Sequence, residues 1–545
     1  MLRNYLNRLK VEFNGYNAQS LIKDLLAGLT VAAVALPLAL AFGVSSGADA
    51  AAGLLTAIIA GFLIGGLSGA SYQISGPTGA MSAILIGLSA QYGIQAVFLA
   101  SCMSGIILII CSLIKAGKLV SYIPASVITG FTSGIAIIIA GGQIDNFFGT
   151  TSAGSNLIEK IGSYFTLGFH IDINALMFGL LVVAIMVFWP KKWQKVFPSS
   201  LAGIIVALIV HIALPQFTVA EVGAIPTTLF PEARLTISAI SLDQIKLLIT
   251  PAISIAALGM IESLLCGASA GNMKNEIIDA DQELMAQGVG NMIIPFFGGV
   301  PATAAIARTS VAIKAGGQTR MVSIFHSVVL LMCMFLFGGL MSRIPMAALA
   351  GVLMVTAWRM NEWVEIKHIF KKALKSNIAK YLFTMIATIV FDLTTAIMIG
   401  IFVSIILFVI NNAKLEVDVR DIDITKLDHE IHHKKVVKTA YVSGPIFFAN
   451  QGILKNAILA QKDNTDAFIV SMRAVPTLDE SGIGELKEIA NVLHSGGKQM
   501  ILCGLSRSVI NTIERFDALD DFDNIMWDAI KAMEFLEAQY EKEEK

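Results

Sequence analysis

Ile74-Ser-Gly-Pro-Thr-Gly-Ala80 and Gly299-Val-Pro-Ala-Thr-Ala-Ala305 each set a proline and a threonine among small residues at the mouth of an apolar run. Proline suits the first position of a helix, where no N–H is needed and its fixed φ is already helical. Pro77 and Pro301 are therefore expected to open two helices. First-turn N–H groups have no partner within their own helix and attract anions. Two such mouths in one apolar chain point to a duplicated fold with both half-helices aimed at one site, and to a small anion as its ligand. In this reading Ser75 caps the first half-helix and Thr78 is its second residue, with hydroxyl and N–H facing the gap. Thr303 satisfies local backbone.

The surroundings of the two stretches are membrane-like. Of 545 residues, 55% are hydrophobic and 14% charged, against about 25% charged in soluble domains; mean hydropathy is +0.72. From Leu25 to Ile114 the one formal charge is Asp49, whereas charges are dense after Leu415. A membrane domain followed by a soluble one is expected. Apolar runs recur near 25–43, 52–70, 77–91, 95–114, 124–143, 173–189, 199–214, 251–270, 281–298, 302–315, 320–340, 345–358, 378–392 and 394–411. Full spans need about 20 residues, so the short runs at 77–91 and 302–315 should lie inside protein, end to end. Small-residue ridges such as Gly61-x-x-x-Gly65 read as helix packing.

With the N-terminus in the cytoplasm, alternation puts Lys115, Lys118, Lys191, Lys192, Lys195, Lys314, Arg320 and the basic stretch from Arg359 to Lys375 on one side. The loops near 144–172 and 215–250 on the other side are nearly balanced in charge. About fourteen crossings follow, with both termini cytoplasmic. Matching order in the two halves, the Pro37 run with the Glu262 run and the Pro77 run with the Pro301 run, predicts a seven-plus-seven inverted repeat with its site near the midplane.

Beyond Asn411 the pattern changes. Residues 413–434 read as a charged linker. Then strand patterns at Val436–Val442, Ala467–Met472 and Gln499–Gly504 alternate with helical ones, which implies a small α/β domain over 435–545. Residues 1–22 form an N-terminal cytoplasmic segment and 23–412 the membrane domain. No cleavable signal peptide is expected, since the first apolar run starts near Leu25.

A net charge of −1 without a basic patch excludes nucleic-acid binding. The five cysteines lack metal-ligand spacing and read as reduced, mostly buried thiols. No nucleophile–base set and no nucleotide loop is present, so neither an enzyme nor a cofactor or metal is expected; Gly482-x-Gly484 alone is too weak a phosphate signal. Glu262 has no charged residue within ten positions on either side. A carboxylate at membrane depth costs at least about 2.5 kcal/mol, so it is protonated or paired. It reads as a proton or cation coupling site, or as an ion pair fixing two helices. Arg308, near the second turn of the Pro301 half-helix, is its natural partner, and alternatively the cation that attracts the anion. His211 and His326 read as core or interface histidines, Asp392 as a helix-end residue.

Together the motifs Asp24-Leu-Leu-Ala-Gly-Leu-Thr30 with Ala35-Leu-Pro-Leu-Ala39, Ser75-Gly-Pro-Thr78, Gly259-Met-Ile-Glu-Ser-Leu-Leu265 and Ala302-Thr-Ala-Ala-Ile-Ala-Arg308 resemble the SulP anion permeases. The C-terminal part resembles a STAS domain, and the likeness covers almost the whole chain. It is greatest to the bacterial branch with proton-coupled C4-dicarboxylate uptake. The resemblance implies core and gate domains, elevator-type alternating access, a homodimer in the bacterial inner membrane, and an anion pocket between the third and tenth helices. The matching positions are Phe42, Gly76, Pro77, Thr78, Gly79, Ala80, Ala304, Ala305, Ile306, Ala307 and Arg308. Sodium-coupled members use hydroxyls where Cys266 and Ile306 stand here, a departure that favours protons. Gly53-Leu-Leu55 departs from the family's usual Gly-Leu-Tyr, so the sulfate-permease signature is incomplete. In Val475-Pro-Thr-Leu-Asp-Glu-Ser-Gly-Ile-Gly484 the resemblance puts Ser481 at a phosphorylated position; the residues themselves read as a helix start capped by Asp479 and Ser481.

The expected function is secondary active transport of a small anion across the bilayer, a dicarboxylate, bicarbonate or sulfate, with protons coupled through Glu262. Open alternatives are an anion exchanger or channel, and a sensor that signals through the STAS domain to a cytoplasmic protein partner.

Overall fold

The computed structural model describes residues 2–118, 123–154, 156–190, 192–193, 197–236, 241–372, 374–391, 393–421 and 435–544. Lys191, Lys195 and Asp392, and positions 422–434 of the expected linker, lie outside the described residues. The chain divides into two units, Met1–Phe402 and Val403–Lys545.

In the first unit α1 (Leu2–Glu12) precedes α2 (Ala18–Ser45), α3 (Ala50–Leu67), the two-residue strand β1 (Ser75–Gly76), α4 (Gly79–Tyr92), α5 (Ile94–Leu113), α6 (Ala125–Gly142), α7 (Ile144–Phe148), α8 (Leu157–Leu167), α9 (Ile173–Phe188) and α10 (Ser199–Ala213). The second half follows with α11 (Leu242–Lys274), α12 (Ala280–Ile293), the strand β2 (Thr303–Ala304), α13 (Ile306–Lys314), α14 (Met321–Met341), α15 (Met346–Met360), α16 (Trp363–Lys371), α17 (Lys375–Val390) and α18 (Leu393–Asn412), the last of which contains the unit boundary. Among the described residues, fourteen of these helices coincide with the fourteen apolar runs. Among the described residues six stretches are long and apolar enough by themselves to cross a membrane.

The halves match in order. Each opens on a long helix with an internal proline, Pro37 in α2 and Pro251 in α11, and each contains a short helix preceded by a two-residue strand. The two strands pair antiparallel, Ser75 with Ala304 and Gly76 with Thr303. Equivalent strands from two copies of a motif pair antiparallel when the copies run in opposite senses, as an inverted repeat requires.

Gly61 and Gly65 of α3 face Ser323, His326 and Ser327 of α14, and a Cβ at either glycine would collide with a serine side chain. The ridge is a packing device, as expected. His326 is fully buried at this crossing, beside Gly28 of α2; His211 bonds Glu221 at 2.8 Å. Arg320 departs from expectation. It is not a free loop cation but a buried one, paired with Glu12 at 2.7 Å and donating to the carbonyls of Gly66 and Ser68. Helix α1 is thereby pinned beneath α3 and α14, helped by Tyr5, whose hydroxyl donates to Gly66 O at 2.6 Å. Asp24, fully buried, accepts from the N–H groups of Gln318 and Thr319 and so fixes the turn before α14.

The second unit carries a five-stranded sheet, ordered β3 (Glu416–Asp421), β4 (Val437–Ser443), β5 (Ala467–Ala474), β6 (Gln499–Cys503) and β7 (Asn524–Met526). The first pair is antiparallel and the others are parallel. Helices α19 (Ile453–Leu459), α20 (Glu480–Ser495) and α21 (Arg507–Arg515) pack on one face through Leu454, Leu486 and Val509, and α22 (Ala529–Glu544) on the other through Met533 and Leu536. β3 corrects the linker expectation. Its alternation turns Val417 and Val419 to the core between outward charges, and a strand of six residues with four charges does not stand out from a charged linker.

Candidate functional site

The interrupted spans meet through β1 and β2, and each helix starts just beyond its strand. The prolines do not hold the first helical positions. Thr78 is the N-cap of α4 and Ala305 that of α13, so Pro77 stands one residue outside its helix and Pro301 well before its own. The residues between are consumed by the ladder, which pairs backbone groups that would otherwise be unsatisfied in lipid. Ser75 is consequently a strand residue and not a cap; its hydroxyl accepts from Gln287 Nε2 at 2.9 Å. Thr303 bonds the Ser263 hydroxyl of α11 at 2.9 Å, a partner far away in sequence and not local backbone.

Buried polar groups hold this crossing. Asn291 of α12 acts as a peptide surrogate, accepting from Ala302 N at 2.7 Å and donating to Ala302 O at 2.9 Å. Thr56 of α3 donates to Val300 O at 2.9 Å, and Thr309 accepts from Ile74 N at 3.1 Å. Ser263 accepts from Ala304 N at 3.2 Å. Glu283 of α12, fully buried, accepts from Ser68, from Gly69 N and from Gln287. Sequence reasoning missed Asn291, Ser263, Gln287 and Glu283. Ser263 had a signal in its place beside Glu262; the others had none.

Thr78 ties the mouth of α4 to α11. Its Oγ1 accepts from Met81 N at 3.4 Å and donates to Glu262 Oε2 at 2.9 Å. Glu262 is partly exposed. Arg308 lies in the first turn of α13, not the second, and is 1% exposed. Its Nη2 donates to Pro77 O, while Nη1 is buried without any acceptor. Arg308 and Glu262 form no ion pair: the carboxylate is held by a hydroxyl, the guanidinium by a carbonyl. Gly76 is what lets the guanidinium in, since a Cβ there would overlap Nη1.

Of the remaining expected site residues, Gly79 faces Phe42 and Ile139, and Phe42, Ala80 and Ala304 are buried close by in sequence or packing. Ile306 is 45% exposed and Ala307 is also exposed, both in the first turn of α13. The mouths of α4 and α13, with Gly76, Pro77, Thr78, Ala305 and Arg308, therefore form one constellation: two helix N-termini, one guanidinium without an ion-pair contact and one carboxyl group. Cys266 is buried and donates to Thr309 at 3.4 Å. Among the described residues no group of acidic, histidine and cysteine side chains could hold a metal ion.

The sequence profile of the sulfate permease family matches residues 21–388, and that of the STAS domain residues 426–531. The chain belongs to the sulfate permease family. It is 32% identical to the Bacillus subtilis protein named "Putative sulfate transporter YvdB", over 91% of this chain and 94% of that one. It is 31% identical to the bicarbonate transporter BicA of Picosynechococcus, over 72% and 71%. The transmembrane domain of a cyanobacterial BicA superposes with a TM-score of 0.63 at 29% identity, covering 71% of this chain and 98% of that one. Murine Slc26a9 shares the fold along 95% of this chain and 91% of its own, with a TM-score of 0.82 at 18% identity. This family member is thus a multi-pass membrane protein that transports anions, with a C-terminal STAS domain, and not an enzyme.

In the STAS domain Asp479 caps α20, accepting from Gly482 N at 2.9 Å and from Phe448 N at 3.0 Å. Ser481 is the second residue of that helix, half-buried, and does not cap it.

Proposed function

We propose that the protein is a proton-coupled secondary transporter that binds a small oxyanion or dicarboxylate between the mouths of α4 and α13. The observation that carries this is Arg308: a guanidinium 1% exposed, with no carboxylate paired to it and Nη1 without an acceptor. A cation so placed is stabilised by an anion in contact, and the planar fork matches two oxygens of a carboxylate, bicarbonate or sulfate. The first-turn N–H groups of both helices add partial positive charge on the same ligand.

Glu262 supplies the coupling. It bonds Thr78, the cap of the helix whose N–H groups face the ligand. When ionised it sets a like charge beside an anion; when protonated it does not. Protonation and anion binding therefore favour each other, and linkage makes the effect mutual. Cys266 and Ile306 offer no oxygen ligand where sodium-coupled relatives have hydroxyls, which supports protons as the coupled ion.

Alternating access moves the site as one body. Hydrogen bonds from α3, α11 and α12 hold the β2 arm, and those of Ser75 with Gln287 and of Thr78 with Glu262 hold the β1 arm; joining both half-helices to one scaffold favours elevator-type motion over local gating. The positive bias of Lys115, Lys118, Lys192, Lys314 and the basic stretch around α16 supports a cytoplasmic location for both termini, in keeping with a bacterial inner-membrane protein. The working unit is a homodimer, and the STAS domain meets a cytoplasmic partner or steadies the dimer, with Ser481 as a candidate for phosphorylation.

The test is uptake of labelled sulfate, bicarbonate, fumarate and succinate into proteoliposomes under an imposed pH gradient. One anion is expected to accumulate against its gradient when the trans side is alkaline, Arg308→Ala to abolish its uptake, and Glu262→Gln to leave exchange but uncouple it from pH. Uptake by Glu262→Gln that still follows the pH gradient removes Glu262 from the coupling role. Substrate-induced thermal stabilisation that survives Arg308→Ala removes Arg308 from the binding site.

A further inference from the structure

From Ile366 to Phe391 the chain carries no acidic residue but five lysines, Lys367, Lys371, Lys372, Lys375 and Lys380. The stretch covers most of α16, the turn after it and all of α17. None of the five lysines is among those paired with an acidic side chain in the described residues. Lys367, Lys371, Lys372 and Lys375 are exposed. An uncompensated cluster of this kind repels itself unless anions gather at it.

Helix α16 is amphipathic in a manner suited to a bilayer surface. Ile369 is buried against the protein, while Val364 is 85% and Phe370 45% exposed. The Trp363 indole donates to Trp358 O at 3.0 Å, which sets a pair of aromatic rings at the same level. Aromatic pairs and lysines on a short helix between two spans mark the interface between headgroups and acyl chains.

Beside this cluster, along α17, runs a groove of 450 Å3 lined by Lys375, Ile378, Ala379, Leu382, Phe383 and Ile386. Five of the six are apolar, and the one charge stands at the end nearest α16. From Lys375 to Ile386 a helix rises about 16 Å, close to the thickness of one leaflet of a hydrocarbon core about 30 Å thick.

From these two observations we infer that the groove is a binding site for an anionic phospholipid, with one acyl chain along α17 and the phosphate against Lys375, Lys371 and Lys372. The charge at the head of the groove decides the occupant. An apolar helix of a second copy could fill the slot but would leave the lysines unanswered, and a zwitterionic lipid would bring a cation to them. The inference concerns the bilayer and stands apart from the identity of the transported anion.

Native mass spectrometry of the full-length protein, titrated with phosphatidylglycerol or phosphatidylcholine, tests it. Phosphatidylglycerol is expected to bind at concentrations at least about tenfold lower. The preference should vanish in the Lys371→Gln/Lys372→Gln/Lys375→Gln protein, and binding should be blocked in Ala379→Trp, whose lysines are intact. Inorganic phosphate should not compete, because the acyl groove contributes to binding. Equal binding of the two lipids, a preference kept by the triple variant, competition by phosphate alone, or disulfide capture of two copies through Phe383→Cys in membranes would each overturn it.

Discussion

Replacing Gly76 by alanine is the most direct test of the anion site, because it adds one methyl group against a single charged group. The new Cβ would overlap Arg308 Nη1 and lie 3.4 Å from its Cζ, with the Cα of Ala57 3.5 Å away on α3. The guanidinium cannot retreat without breaking its bond to Pro77 O. Overpacking of this kind costs about 1–3 kcal/mol of stability. Displacing the fork also removes a charge-assisted hydrogen bond to the ligand worth about 1.5–3 kcal/mol, which converts to a rise of roughly 10- to 150-fold in Kd or KM. The assay is initial uptake into proteoliposomes across a range of anion concentrations, alongside thermal unfolding of the purified protein. Gly66→Ala is the control, since a Cβ at Gly66 meets nothing within 4 Å. A folded Gly76→Ala protein with wild-type KM would refute the placement of the anion against Arg308.

Asn291→Ala leaves Ala302 N and O unpaired in a buried setting; it should cost about 2–6 kcal/mol, since each of the two orphaned groups costs about 1–3, and thermal unfolding should show the fall. Glu12→Ala strips the partner from Arg320, whose side chain is 6% exposed, at a cost of about 3–5 kcal/mol; limited proteolysis should then release α1 from an otherwise intact chain. Burial pushes the Cys503 thiol up to about 11, and the thiolate is the reactive form. At pH 8 the folded protein should therefore label at Cys503 at less than a hundredth of the rate of the same residue in denaturant, as peptide mass spectrometry would show.

Much of the membrane fold was legible because hydropathy is local. Each apolar run declares its own helix, and the small α/β domain declares itself through alternating periods. What escaped was non-local. Pro77 and Pro301 marked the breaks correctly but not the helix starts, because the ladder between β1 and β2 depends on a partner in the other half of the chain. Ser75 and Thr303 look like caps or backbone satisfiers from their neighbours alone. Gln287 and Ser263, which hold them, are a whole helix or more away. Arg320 was counted as a loop charge because it stands at a helix end beside Met321; only Glu12 makes it a buried residue. Glu283 was invisible for the same reason. Arg308 and Glu262 were singled out because an ionisable group inside an apolar stretch is conspicuous without any partner. That they share a site without forming an ion pair needed the geometry.

The ladder joining the two broken spans pairs Ser75 with Ala304 and Gly76 with Thr303, residues from opposite halves of the chain. During synthesis the first break is complete long before its counterpart exists. Until Thr303 and Ala304 emerge, the peptide groups of Ser75 and Gly76 have no strand to pair with, and lipid offers none. The nascent first half must therefore wait at the insertion machinery, or shelter that stretch in water, and its commitment to the bilayer is timed by the second half.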